Sequence, residues 1–132
     1  MLIHGLLVNG NIWDRLVPLL ELGRGSYRAA LTHILENSPE GVVRIGSDHD
    51  FRNRMLVDFY APALAKSHTI RYIRQADWHN EPPDWLLTHS GEASYQPPPD
   101  ITVPGVGVYH FFAVHRFAGV SGWNWFLYRE KR

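Results

Sequence analysis

Val42-Val43-Arg44-Ile45-Gly46-Ser47-Asp48-His49-Asp50-Phe51-Arg52-Asn53 is the stretch that decides the fold. Val42 to Gly46 is a short β-branched run closed by a glycine, and it predicts a strand. Polar residues then crowd together and a helix starts near Asp50. Phe51, Met55 and Phe59 form one apolar stripe on it, flanked by Leu56, Tyr60 and Leu64, and Pro62 predicts its end or a bend, because proline cannot donate to the preceding turn. His68-Thr69-Ile70-Arg71-Tyr72-Ile73 alternates polar and apolar residues as a half-buried strand does. Strand, helix and strand together predict a right-handed βαβ unit with both strands parallel in one sheet.

Further along, a loop from Asp77 to Asp84 leads into Trp85-Leu86-Leu87-Thr88-His89, a third expected strand. Residues 90 to 105 hold four prolines and predict an irregular surface excursion or lid. Val108 to Phe117 and Trp123 to Arg129 are aromatic and β-branched, with Ala118-Gly119-Val120-Ser121-Gly122 between them. So short a connection cannot support a parallel crossover, so the two form an antiparallel hairpin. Trp123 and Trp125 share one face of the last strand and Asn124, Phe126 and Tyr128 the other. Aromatics on both faces imply a sheet covered on both sides. The helix carrying Phe51 and Phe59 is expected on one side and a helix containing Tyr27 and Leu31 on the other.

That second helix is read from Tyr27, Ala30, Leu31, Ile34 and Leu35, with Ser26 placed to cap it after Gly23-Arg24-Gly25. Ile12, Trp13, Leu16, Val17, Leu19 and Leu20 recur near helical spacing and predict a further helix, kinked or restarted at Pro18. The run from Met1 to Gly10 is apolar but too short to span a bilayer, which needs about 20 residues. It reads as an element packed on the domain or as the tail of a membrane segment. The whole is one α/β domain over residues 1–132, with an about five-stranded mixed sheet, a βαβ unit, a C-terminal antiparallel hairpin and two or three packing helices.

Composition narrows the function. Thirteen basic residues balance thirteen acidic ones, so no positive field gathers nucleic acid. The absence of cysteine excludes disulfides, thiolate zinc sites and cysteine nucleophiles. No glycine-rich phosphate loop, Gly-x-Ser-x-Gly elbow or His-Glu-x-x-His zinc helix is present.

The concentrated polar motif is therefore the candidate site. Open α/β sheets place ligands at the carboxyl ends of their strands, where a helix amino terminus also offers unpaired amides. Asp48 and Asp50 stand there and would hold a divalent cation between two carboxylates. Ser47, His49, Arg52 and Asn53 add hydrogen-bonding groups, and parallel strands would bring His89, and His79 together with Asp77, to the same edge. Against this stands a plain structural reading, in which Ser47 or Asp48 caps the helix, Asp50 complements its dipole and Arg52 pairs locally. The strand-then-Asp-x-Asp pattern is similar to that of haloacid dehalogenase phosphatases, but Arg52 stands where that family has Thr or Val, and no downstream lysine and acidic pair follows.

Three segments, Gly23-Arg24-Gly25-Ser26-Tyr27, Ser47 to Asn53, and Ser121-Gly122-Trp123-Asn124-Trp125-Phe126-Leu127-Tyr128-Arg129, resemble in order and spacing the C-terminal extramembrane domain of bacterial polytopic glycosyltransferase-like membrane proteins. The resemblance implies that residues 1 to 20 continue from a membrane helix and that the domain sits on the periplasmic face of the inner membrane. It also implies a non-catalytic accessory or binding role, with the membrane portion of the same protein or a glycan or lipid-linked sugar as partner. The residues by themselves leave two rivals open, a small metal-dependent hydrolase or transferase using Asp48 and Asp50, and a self-associating module that meets its copy through the aromatic hairpin.

Overall fold

A computed structural model of the chain describes residues 27–92, 94–116 and 124–131. The helix expected from Ile12 to Leu20, Ser26 as a cap, and Phe117, Trp123 and the connection between them lie outside the described residues. Within them, helix α1 (Tyr27–Glu36) leads into strand β1 (Gly41–Ser47), helix α2 (Asp50–Leu64) and strand β2 (His68–Tyr72). A 3-10 turn (Gln75–Asp77) precedes β3 (Trp85–Ser90), β4 (Asp100–Val103), β5 (Gly107–His115) and β6 (Asn124–Glu130). Pro62 falls in the last turn of α2, which ends two residues later.

The six strands form one mixed sheet in the order β2-β1-β3-β6-β5-β4. β1 lies parallel to both β2 and β3, and β6 pairs antiparallel with β3 and β5, as the βαβ unit and the hairpin require. The sixth strand, β4, comes from the proline-rich excursion and pairs antiparallel with β5. Four residues between Pro99 and Pro104 carry no pattern that separates an edge strand from a loop.

The central strand β6 is buried on both faces from Asn124 to Tyr128. Trp125 and Leu127 join Val43, Ile45, Trp85 and Leu87 on one face, while Phe126 and Tyr128 join Leu86 and Tyr109 on the other. Both helices cover the first face, α1 through Tyr27, Ala30, Leu31, Ile34 and Leu35, and α2 through Val57 with Leu56, Tyr60 and Leu64 beside it. The expected placement of the helices on opposite faces is thereby overturned. The short turn from α1 to β1 permits either face, so nothing in the local sequence specifies one. Ile101 and Val103 of the edge strand β4 pack against the second-face cluster instead, together with irregular chain that includes Trp78 and Val106. It is fastened there by tyrosine hydroxyls, Tyr109 donating to the Pro83 carbonyl at 2.8 Å and Tyr128 to that of Pro98 at 2.7 Å.

The Phe51, Met55 and Phe59 stripe is also placed differently from the expectation. These side chains are 75%, 56% and 74% exposed, whereas Asn53 and Val57 are fully buried. Their four-residue spacing fixes that they share a face but not which way the face points. Asn53 decides the rotation, since its hydrogen-bond partners lie under the helix.

A β-bulge at Phe112 alters the far side of the sheet, where Phe111 pairs with Tyr128 but Ala113 already pairs with Leu127. The extra residue flips the alternation, so that Ala113 and His115 turn toward the helices while Tyr109 faces away. His115 Nε2 thereby comes within 3.1 Å of His33 Nδ1 on α1. Burial, and then the charge of His33, hold the His115 pKa below its ordinary 6.5.

The unfolded chain therefore takes up a proton at His115 at higher pH than the folded chain does, and stability should be full above about pH 6.5 and decline as pH falls toward the lowered folded value. Melting temperatures between about pH 8 and pH 5 should fall less steeply for His115→Phe than for the wild type. Burial along α2 and β1 gives a second expectation: Val57→Ala should cost roughly 2 kcal/mol in urea unfolding, and Val42→Ala, at a position 49% exposed, under about 1 kcal/mol.

Candidate functional site

At the carboxyl end of β1 the chain turns through Ser47, Asp48 and His49 into α2. Ser47 is 1% exposed, so its hydroxyl must find partners within the protein. It accepts from the His49 backbone N–H at 3.1 Å and from Asn53 Nδ2 at 3.0 Å, and lies 2.7 Å from the Tyr72 hydroxyl. Tyr72 gives its single proton to Asp50 Oδ1 at 2.8 Å, which leaves Ser47 as the donor to Tyr72. The order Ser47 to Tyr72 to Asp50 thus follows from counting protons.

Asn53, in the first turn of α2, is the hub. Its Oδ1 accepts from the Tyr27 hydroxyl and from Arg52 Nε at 3.4 Å, and its Nδ2 also reaches Asp48 Oδ1 at 3.4 Å. One amide therefore joins the start of α1, the end of β1 and the start of α2. Asp50 adds the loop after β2, accepting from the Gln75 backbone N–H at 3.1 Å, while Gln75 Nε2 donates to the Ser47 carbonyl at 3.0 Å. Burial raises the pKa of both Tyr27 and Tyr72, and in Tyr72 the neighbouring Asp50 adds to the rise. Both phenols stay protonated and keep donating.

The cap of α2 is His49, whose Nδ1 accepts from the Arg52 backbone N–H at 3.3 Å. Asp48 borders the helix and turns instead to β3. Its Oδ2 accepts from the His89 backbone N–H at 3.0 Å, and its Oδ1 lies 2.8 Å from His89 Nδ1. A carboxylate only accepts, so the ring hydrogen sits on Nδ1. The Asp48 side chain is 33% exposed and that of His89 18%, which makes the pair the open rim above a closed network. Trp125 of β6 underlies it, with ring-centre distances of 5.6 Å to His89 and 4.1 Å to Tyr27, and with the Arg52 guanidinium 5.9 Å from its ring.

The structure therefore brings together Ser47, Asp48, His49, Asp50, Arg52, Asn53 and His89. His79 is elsewhere: a Cβ on Gly105 would meet its ring at 2.8 Å, which places it beside the β4–β5 turn at the amino end of β3 and β5. Asp77 pairs with Arg74 at 3.3 Å. The expected gathering at the carboxyl edge fails for His79, because the chain turns away after the 3-10 turn and carries Trp78 onto Gly46. Asp48 and Asp50 aim at different partners, β3 and β2 respectively, and among the described residues no three His, Asp or Glu side chains are grouped to hold a metal ion. Tyr27, Tyr72, Gln75 and Trp125 complete the site without having been picked out as site residues in the sequence. Tyr72 alone carried a signal, as a hydroxyl ending a strand parallel to β1. A groove of about 460 Å³ lies at the opposite end of the sheet, where Arg44 pairs with Glu81 and Asp84.

No family model, no curated protein and no solved structure matches the chain.

Asn53→Ala should cost about 2 kcal/mol in chemical unfolding, because it removes the acceptor of the buried Tyr27 hydroxyl and one of the three partners of Ser47, an unsatisfied buried group being worth roughly 1–3 kcal/mol. Asp48→Ala, at the open rim, should cost about 1 kcal/mol.

Proposed function

We propose that this is a non-catalytic binding domain of a membrane-associated glycosyltransferase-like protein, and that the Asp48 and His89 rim receives the hydroxyl groups of a glycan or lipid-linked sugar. The observation that carries the reading is the posture of Asp48. β3 fixes both carboxylate oxygens, yet a third of the side chain remains open to solvent. A carboxylate offers about four lone-pair directions, so a fixed and partly open one suits the O–H donors of a sugar diol. Preorganisation by β3 lowers the entropy lost on binding.

Ser47, the one hydroxyl of the motif, is buried and committed to three partners, so its part is to hold the rim in shape. Among the described residues no helix is long and apolar enough to cross a membrane, so on this reading the membrane portion is contributed by other residues. The motif from Ser47 to Asn53 that carries the resemblance is also the motif that builds the network, which gives its residue pattern a physical purpose.

Titrating the isotopically labelled domain with a panel of mono- and oligosaccharides should produce saturable amide shifts centred on Asp48, His89 and Arg52. Asp48→Asn should weaken that binding about tenfold, the worth of one hydrogen bond to a charged group. Saccharides that shift no resonance at millimolar concentration would overturn the proposal.

A further inference from the structure

His33 stands in the last turn of α1 and His115 is the last residue of β5, 82 positions further along the chain. Their rings meet with planes at 81° and centres 5.2 Å apart, and His33 Nδ1 lies 3.1 Å from His115 Nε2. Phe112, the bulged residue, packs edge-on against both His33 at 5.2 Å and Trp85 at 5.0 Å, so an aromatic wall backs the pair. His49, His68, His89 and His110 each have a ring nitrogen on a backbone group or a carboxylate. His33 and His115 instead bring ring nitrogens to each other, and both side chains are only half-buried.

We propose that His33 and His115 form a two-histidine site for a transition-metal ion such as Zn²⁺ or Ni²⁺, with water completing its coordination. The first argument is distance. Two nitrogens each about 2.0–2.1 Å from one ion stand about 2.9 Å apart at a right angle and about 3.3–3.4 Å apart at the tetrahedral angle. The observed 3.1 Å falls between these values. The second is donor type, since imidazole nitrogen suits zinc, copper and nickel, whereas magnesium and calcium take oxygen. The third is the backbone. Only the extra residue at Phe112 turns His115 toward α1, and re-aiming a side chain is what bulges do beside functional sites. Among the described residues no third His, Asp or Glu is grouped with the pair, so the rest of the coordination sphere falls to solvent. The ion would tie the end of α1 to the end of β5 and thereby stabilise the fold. A direct N–H···N hydrogen bond has a similar length, so the test has to separate an ion from a shared proton. The pair is distinct from the Asp48 and His89 rim, and the proposal is independent of sugar binding.

The full chain, free of any affinity tag and stripped with EDTA, allows a direct test. Zn²⁺ or Ni²⁺ at ten times its dissociation constant should raise the melting temperature by about 5 °C, and Mg²⁺ should not. His33→Asn and His115→Asn should each abolish that rise, whereas His68→Asn should keep it. Each comparison is made with and without metal on the same variant, so a lower starting stability does not affect it. The ¹⁵N spectrum of the histidine rings supplies a second measurement on the unaltered chain, in which Zn²⁺ should shift His33 Nδ1 and His115 Nε2 and leave the ring nitrogens of His68 and His110 in place. A rise that survives in both His33→Asn and His115→Asn would assign the metal to other surface histidines and overturn the proposal. No rise with either ion, or ring signals of His33 and His115 unmoved by Zn²⁺, would show that the two rings only share a proton.

Discussion

A carboxamide with no access to water has to place its donors and its acceptor within the protein, and in this domain that demand falls on Asn53. Its side chain answers Tyr27 on α1, Ser47 at the end of β1 and Asp48 in the turn that follows. The bonds fix where α1 begins, how β1 ends and which way α2 is turned. An apolar residue at position 53 would fill the space but leave the Tyr27 hydroxyl without its acceptor and Ser47 with two of its three partners, and leaving such a buried group unmet costs more than the bond itself contributes. Specificity of arrangement is thus concentrated in one polar residue, while the adhesive energy comes from the surrounding aromatic core.

That core is divided by the sheet into unequal halves. On the helix side, Tyr27, Trp85 and Trp125 pack with aliphatic residues from both helices in the manner of an α/β layer. On the other side no described helix is present, and Phe126 and Tyr128 are sheltered by loops rich in proline. Proline suits that task because it has no N–H to leave unsatisfied, and its carbonyl remains available to the tyrosine hydroxyls. The same composition that marks residues 90 to 105 as irregular is what lets irregular chain serve as a wall.

The strands that obey periodicity were legible from the sequence. β1, β2, β3, β5 and β6 all stand where β-branched runs and alternation put them, and the double-sided aromatic pattern of β6 matches its burial on both faces. Rotation was not legible. Phe51, Met55 and Phe59 share a face by arithmetic, but a hydrophobic stripe and a buried face are different things when a polar residue on the other side has stronger demands. The site was legible in place and less so in membership. The carboxyl edge of parallel strands correctly drew Asp48, Asp50 and His89 together, whereas His79 was lost to a turn whose course no local pattern encodes. Tyr27 and Trp125 entered from elements far away in sequence, and long-range contacts of that kind leave no trace in spacing.

The position of β6 has a consequence for how the chain is made. This strand fills the gap between β3 and β5, yet it follows both of them in sequence. From Ser90, where β3 ends, to Glu130, where β6 ends, there are 40 residues, which a ribosome translates in about 2–8 s. During that interval the parallel half already has its strands and helices, but β3 presents an open, apolar edge to whatever strand comes by. The nascent chain therefore passes through a sticky half-sheet before the keystone strand arrives, and its yield in a cell depends on how well that edge is shielded until translation is complete.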